Sequence, residues 1–129
     1  MPKVAGFAGI GSIIGHEIGH GFDRGGARHN SDGNIQNWWH PKDRKEFSRR
    51  EKCVIDQYEN YDDPSFGKNL NGTTTAAENV ADLLGTTAIW NAYNDLNAEE
   101  KEIYIVGLED YSSDKLFFHI RAAVITCIF

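Results

Sequence analysis

His16 and His20 stand four residues apart with Glu17 between them. On an α-helix that spacing puts both imidazoles on one face, about 6 Å apart along the axis, where they can close on one cation. The glutamate lies about 100° round the helix, beside such a site. His-Glu-x-x-His is chemistry for an activated water: two neutral histidines bind Zn²⁺ and the glutamate acts as general base. Two histidines do not complete a catalytic zinc, which takes three protein ligands and keeps one position open. Glu78, just past a predicted helix start, is the candidate third ligand. Asp82 lies four residues further on the same helical face, where it is placed to accept the free ring N–H of a zinc-bound histidine and fix its tautomer. Taken without the histidine motif, Glu78 and Asp82 read as two solvated acids. Both, however, lie on an otherwise apolar helix.

The elements that must hold these groups are mostly helical. Ile10, Ile13, Ile14 and Ile18 fall at helical spacing and predict a helix over about 8–22, despite glycines that each cost about 1 kcal/mol in an exposed interior. Those small residues let another backbone come close. Residues 23–40 carry turn chemistry, with Gly25, Gly26 and Asp32-Gly33 as turn positions and Trp38-Trp39 as an aromatic anchor. Pro41 suits a helix first turn, and residues 41–59 place Phe47, Val54, Ile55 and Tyr58 on one side. On the other side Lys42, Arg44, Lys45, Arg49 and Arg50 interleave with Asp43, Glu46 and Glu51, which reads as a solvated face. A loop is predicted over 60–72. Thr74 or Thr75 then caps a helix reaching about Asn94, with Ala77, Val80, Ala81, Leu84, Ala88 and Ile89 as its buried stripe. A last helix, from Ser112 or Ser113, carries Leu116, Phe117, Ile120, Val124 and Ile125 to the end. It stops in apolar residues with no polar tail, so a covering element is expected to be missing.

Composition narrows the function classes. The chain has 129 residues, 40% hydrophobic and 25% charged, with 7 Phe, 5 Tyr and 3 Trp, enough apolar mass for one core and one domain. Nineteen acids against thirteen bases give a net charge of -6, which leaves no broad basic surface for a nucleic acid. The longest apolar run falls well short of the roughly 20 residues that span a bilayer. The first fifteen residues imitate a secretory signal, but they run without a cleavage site into His16–His20. Gly9-x-Gly11 imitates a dinucleotide-binding turn, but Ile14 stands where the third glycine belongs. Cys53 and Cys127 allow at most one internal bridge.

A series of further motifs accompanies the histidine helix: Gly21-Phe22-Asp23, Trp38-Trp39, Leu70-Asn71-Gly72 and Glu78-Asn79-Val80-Ala81-Asp82, with Leu116-Phe117-Phe118 later. In order and spacing, along essentially the whole chain, they resemble the neprilysin and endothelin-converting-enzyme family of zinc metalloendopeptidases. The resemblance implies one Zn²⁺ held by His16, His20 and Glu78, with Glu17 as catalytic base and Asp82 orienting His16. It implies hydrolysis of short peptides on the amino side of hydrophobic residues, outside the cell or at its surface. The fold it implies is mainly α, a zincin-type helical core with an active-site helix, a turn-rich segment and two or three further helices.

Departures from the family pattern accompany the match. Gly19 stands where the family usually has Thr, and Arg24-Gly25 where it usually has an acid and an amide; the expectation is a loosened or re-charged outer end of the active helix. The family's substrate-holding strand lies upstream of the zinc helix, and its transition-state histidine and substrate-anchoring arginine lie in a later segment. Residues 1–129 are therefore expected to form a partial catalytic domain, and a zinc-binding remnant without turnover is the alternative. His119 is the one downstream histidine and reads mainly as a helix-surface or packing residue; His29 and His40 read as loop histidines. Cys53 and Cys127 resemble positions whose disulfide partners lie outside this chain, and two buried free thiols are the other reading. Asn71-Gly72-Thr73 is a glycosylation acceptor pattern.

Overall fold

The segment that carries His16 and His20 does not wait until residue 8 to become helical. In the computed structural model, which describes residues 2–63, 68–101 and 105–128, it opens as α1 (Lys3–Gly6), passes through one π-helical turn (Phe7–Gly11) and continues as α2 (Ser12–His20). A tight turn ends it, with Gly21 N–H bonding the Ile18 carbonyl and Phe22 N–H that of Gly19. A single 3₁₀ turn (Gly26–Arg28) precedes α3 (Pro41–Glu59), where His40 accepts the Lys42 N–H as N-cap and Pro41 takes the first position, as its fixed φ suits. Two two-residue strands, β1 (Asp62–Asp63) and β2 (Lys68–Asn69), pair antiparallel within the expected 60–72 loop. The centre of that loop, 64–67, lies outside the described residues. The long helix α4 (Ala76–Asn94), a short α5 (Ala98–Lys101) and α6 (Ser113–Ile128) complete the chain. The side chain of Cys127 lies outside the described set, while Cys53 is an exposed free thiol rather than a buried one.

The chain divides into two compact units, one of Met1–Glu17 with Leu83–Phe129 and one of Ile18–Asp82. The first has an apolar core of Val4, Ala8, Ile89, Tyr93, Leu116 and Phe117, and α6 lies against α1 and the π turn. Its rings stack densely: the Phe117 centroid is 4.9 Å from Trp90 and 5.3 Å from Tyr93. The second unit holds the 24–40 turns, α3 and the small sheet. Gly72 is buried there because a Cβ on it would come within 2.2 Å of the Ile55 carbonyl oxygen, so the turn leading into α4 rests directly on α3.

The helical period of the isoleucines is correct, but they are not what α2 packs with. Ile10, Ile14 and Ile18 are 53–62% exposed, whereas Ala8, Ser12 and Gly19 are buried. Within the first unit a Cβ on Gly15 would meet the Gly85 Cα at 2.9 Å; within the second, one on Gly19 would meet the Ala81 oxygen at 2.7 Å. The predicted stripe of α4 is corrected for the same reason. Leu84 and Ala88 are exposed, and the buried line runs Ala76, Val80, Ala81, Gly85, Ile89, Tyr93. It passes through a glycine because the partner backbone, not a partner side chain, fills the space.

Candidate metal centre

Glu78 belongs to the first turn of α4, where a carboxylate also faces the positive end of the helix. Its Oε2 lies 3.5 Å from Nε2 of His20, in the last turn of α2. His16 is one turn earlier on the same continuous helix. Taking one ligand atom from each of His16, His20 and Glu78, all lie within 4.8 Å of one another. The two histidines are half-buried and Glu78 is exposed, so the group is open on one side. Two ligands of a tetrahedral zinc, each about 2.0–2.2 Å from the ion, lie about 3.4 Å apart. The 3.5 Å His20–Glu78 separation matches that edge, and two imidazoles with one carboxylate are the donor set of many catalytic zinc sites. The residues present therefore suit a zinc ion.

Glu17 follows His16 on α2 and is exposed, while Asp82 is half-buried one helical turn past Glu78. His119 is exposed on α6, its Nδ1 hydrogen-bonded to the Lys115 carbonyl and its ring edge-on to Tyr111. His29 and His40 serve the turn region, the first bonded to the Gly25 carbonyl and the second capping α3.

The structure adds a residue that the sequence presented only as part of a motif. Asp23 is 5% exposed, and its Oδ2 lies 2.7 Å from Nδ1 of His20. Its Oδ1 accepts the Gly25 and Gly26 N–H groups at 2.7 and 2.8 Å. Burial by itself would raise the Asp23 carboxyl, but the hydrogen bonds from His20, Gly26 and Gly25 outweigh it and hold the group below its ordinary value. An ionised Asp23 favours a proton on Nδ1 of His20, and Nε2 is the nitrogen on the side of Glu78. Gly26 is required where it stands, since a Cβ there would fall 1.9 Å from the His20 carbonyl oxygen.

At the outer end of α2 the missing side chain of Gly19 lets Ala81 lie against the helix backbone. Arg24 grips Glu51 with Nε–Oε1 at 3.0 Å and Nη2–Oε2 at 3.1 Å. Glu51, expected on a solvated face, is 6% exposed. Its neighbours in that charge pattern, Glu46, Arg49 and Arg50, do form an exposed cluster.

A sequence model of Peptidase family M13 matches residues 1–128. Neprilysin-11 of Caenorhabditis elegans is 38% identical over 92% of this chain and 14% of its own length. Endothelin-converting enzyme 1 of Homo sapiens is 37% identical over 91% of this chain and 15% of its own. Among solved structures, Mycobacterium tuberculosis zinc metalloprotease ZMP1 in complex with an inhibitor superposes with a TM-score of 0.81 at 35% identity, covering 96% of this chain and 19% of that one. The chain thus spans about a sixth of the length of the relatives it matches.

Proposed function

The chain belongs to peptidase family M13, a family of zinc metallopeptidases, and from that premise we propose that residues 1–129 act as the zinc-binding catalytic core of a metalloendopeptidase. His16, His20 and Glu78 would hold one Zn²⁺. The observation that carries this reading is the meeting of Nε2 of His20 and Oε2 of Glu78 at a tetrahedral-edge distance, one helical turn from His16. When bound, the ion supplies Lewis acidity at a scissile carbonyl and a water acidic enough to attack near neutral pH.

The remaining work falls to this chain's own groups. Glu17, adjacent to the ligand helix face and open to solvent, takes the water proton on a carboxylate oxygen and passes it to the leaving amine nitrogen. Asp23 keeps the His20 ring in one tautomer and one orientation, and Asp82 is assigned the same duty toward His16. Substrates are taken to be short peptides cut on the amino side of a hydrophobic residue, as the family resemblance implies.

A second reading is zinc binding without turnover; His119, which follows Glu78 in this sequence, is bonded to the Lys115 carbonyl and lies edge-on to Tyr111. Glu17→Gln separates the two. On the first reading the variant keeps its zinc and loses peptide hydrolysis by two to four orders of magnitude, the range general acid–base catalysis contributes. Hydrolysis that survives Glu17→Gln refutes Glu17 as the base. A zinc-loaded chain with no hydrolysis in either form establishes the second reading.

A further inference from the structure

Glu51 is the buried residue of α3, a helix whose other side chains are exposed or half-buried. A carboxylate withdrawn from water is strongly disfavoured unless it is paired. Its partner, Arg24, comes from a loop 27 positions earlier and closes a two-pronged fork on both carboxylate oxygens. Arg24 is itself 57% exposed on its side chain, so the fork joins a solvated guanidinium to a buried acid, and losing it would strand the acid.

What makes the fork more than a structural tie is its neighbour. The residue before Arg24 is Asp23, whose two oxygens are both committed, one to His20 and the other to the Gly25 and Gly26 N–H groups. The residues after it are glycines, with no side chains to anchor the loop by packing. The loop carrying Asp23 is therefore fixed at one point by its own turn and at a second by Arg24 on α3. Glu51, Arg24, Asp23 and His20 form one line of contacts inside the Ile18–Asp82 unit.

We propose that Arg24, held by Glu51, is a positioning residue for the metal centre: the fork fixes residues 23–26 so that Asp23 meets Nδ1 of His20 and keeps Nε2 directed at Glu78. This rests on the zinc reading above. It also accounts for an arginine where the family resemblance has an acid, since an acid at position 24 would repel Glu51.

The test measures zinc affinity by chelator competition and the visible spectrum of the Co²⁺-loaded chain. The set comprises the unsubstituted chain, Arg24→Ala, Arg24→Lys, Glu51→Gln and the double variant Arg24→Ala/Glu51→Ala. Arg24→Ala is expected to weaken zinc binding about tenfold, the lower end for loss of an outer partner of a ligand, and to shift the cobalt bands. Glu51→Gln should do the same, and the double variant should be no weaker than Arg24→Ala alone, because the pair acts as one unit. Arg24→Lys keeps the charge but not the fork and should recover only part of the affinity. A merely structural tie would lower the melting temperature and leave the cobalt spectrum unmoved. Folded Arg24→Ala with unsubstituted affinity and spectrum overturns the proposal, and if that variant does not fold, Arg24→Lys with both unchanged overturns it equally. An unsubstituted chain that binds neither metal refutes the zinc reading itself and this proposal with it.

Discussion

In the unit formed by Met1–Glu17 and Leu83–Phe129, the buried side chains are mainly apolar, with Tyr93, Phe117 and Val4 among those fully shielded. Among the described residues of Ile18–Asp82 the buried set is Ala76, Val80 and Ala81, two glycines, and two acids, Asp23 and Glu51. The first is held by non-directional burial, worth about 25 cal/mol per Å² of apolar surface, which tolerates small shifts. The second relies on carboxylates that each bind two or three donors at set distances. Directional bonds define positions to tenths of an ångström, and His20 and Glu78 both lie in this second unit. The contrast teaches that the stability of the first unit and the His20–Glu78 geometry of the second can be perturbed separately.

Two substitutions and one titration press on that contrast. The largest effect is expected from Phe117→Ala, which removes a fully buried ring at the centre of the first unit's aromatic stack and should cost about 3–5 kcal/mol in denaturant unfolding. A loss under 1 kcal/mol would mean the apolar core is not what holds that unit. Gly19→Thr comes next: a side chain forced against Ala81 should cost about 1–3 kcal/mol and displace α4 from α2 near the ligands. A neutral outcome would show that the helices separate freely and that their contact does not set the site. The smallest effect concerns Glu46, whose carboxyl is pushed down to about 2 by hydrogen bonds from Arg49 and Arg50. Because its folded value is depressed, whatever stability the cluster adds is present above the ordinary carboxylate range and is lost as pH falls through about 2. The cluster is exposed, so salt should screen most of it. An NMR titration of Glu46 with its midpoint at the ordinary value, at low salt, would remove the cluster from the account.

How much of this was legible beforehand follows from what each residue contributes. His16, Glu17, His20 and Glu78 could be singled out because their chemistry is carried by residue type, and α3 and α6 because large apolar side chains mark their period. Glycines carry no such mark. At Gly15, Gly19 and Gly85 the opposing backbone leaves no room for a Cβ, yet the eye follows Ile10, Ile14 and Ile18, which are exposed. Glu51 was hidden for a different reason: in a run of alternating charges nothing local distinguishes the one acid whose partner lies 27 residues away. Asp23 did leave a signal, an acid three residues past a ligand histidine and followed by Gly-Gly, whose bare N–H groups need an acceptor. The π turn at Phe7–Gly11 had no sequence cue that distinguishes it from an α-helical turn.

The central claim is that His16, His20 and Glu78 form a single metal site. The most direct measurement is the zinc content of the purified, folded chain after dialysis, set beside Glu78→Gln and His20→Ala. The account predicts close to one zinc per chain and a loss of that zinc in both variants while their circular dichroism stays helical. Well-folded, unsubstituted chain that retains no stoichiometric zinc, or variants that retain it undiminished, would contradict it.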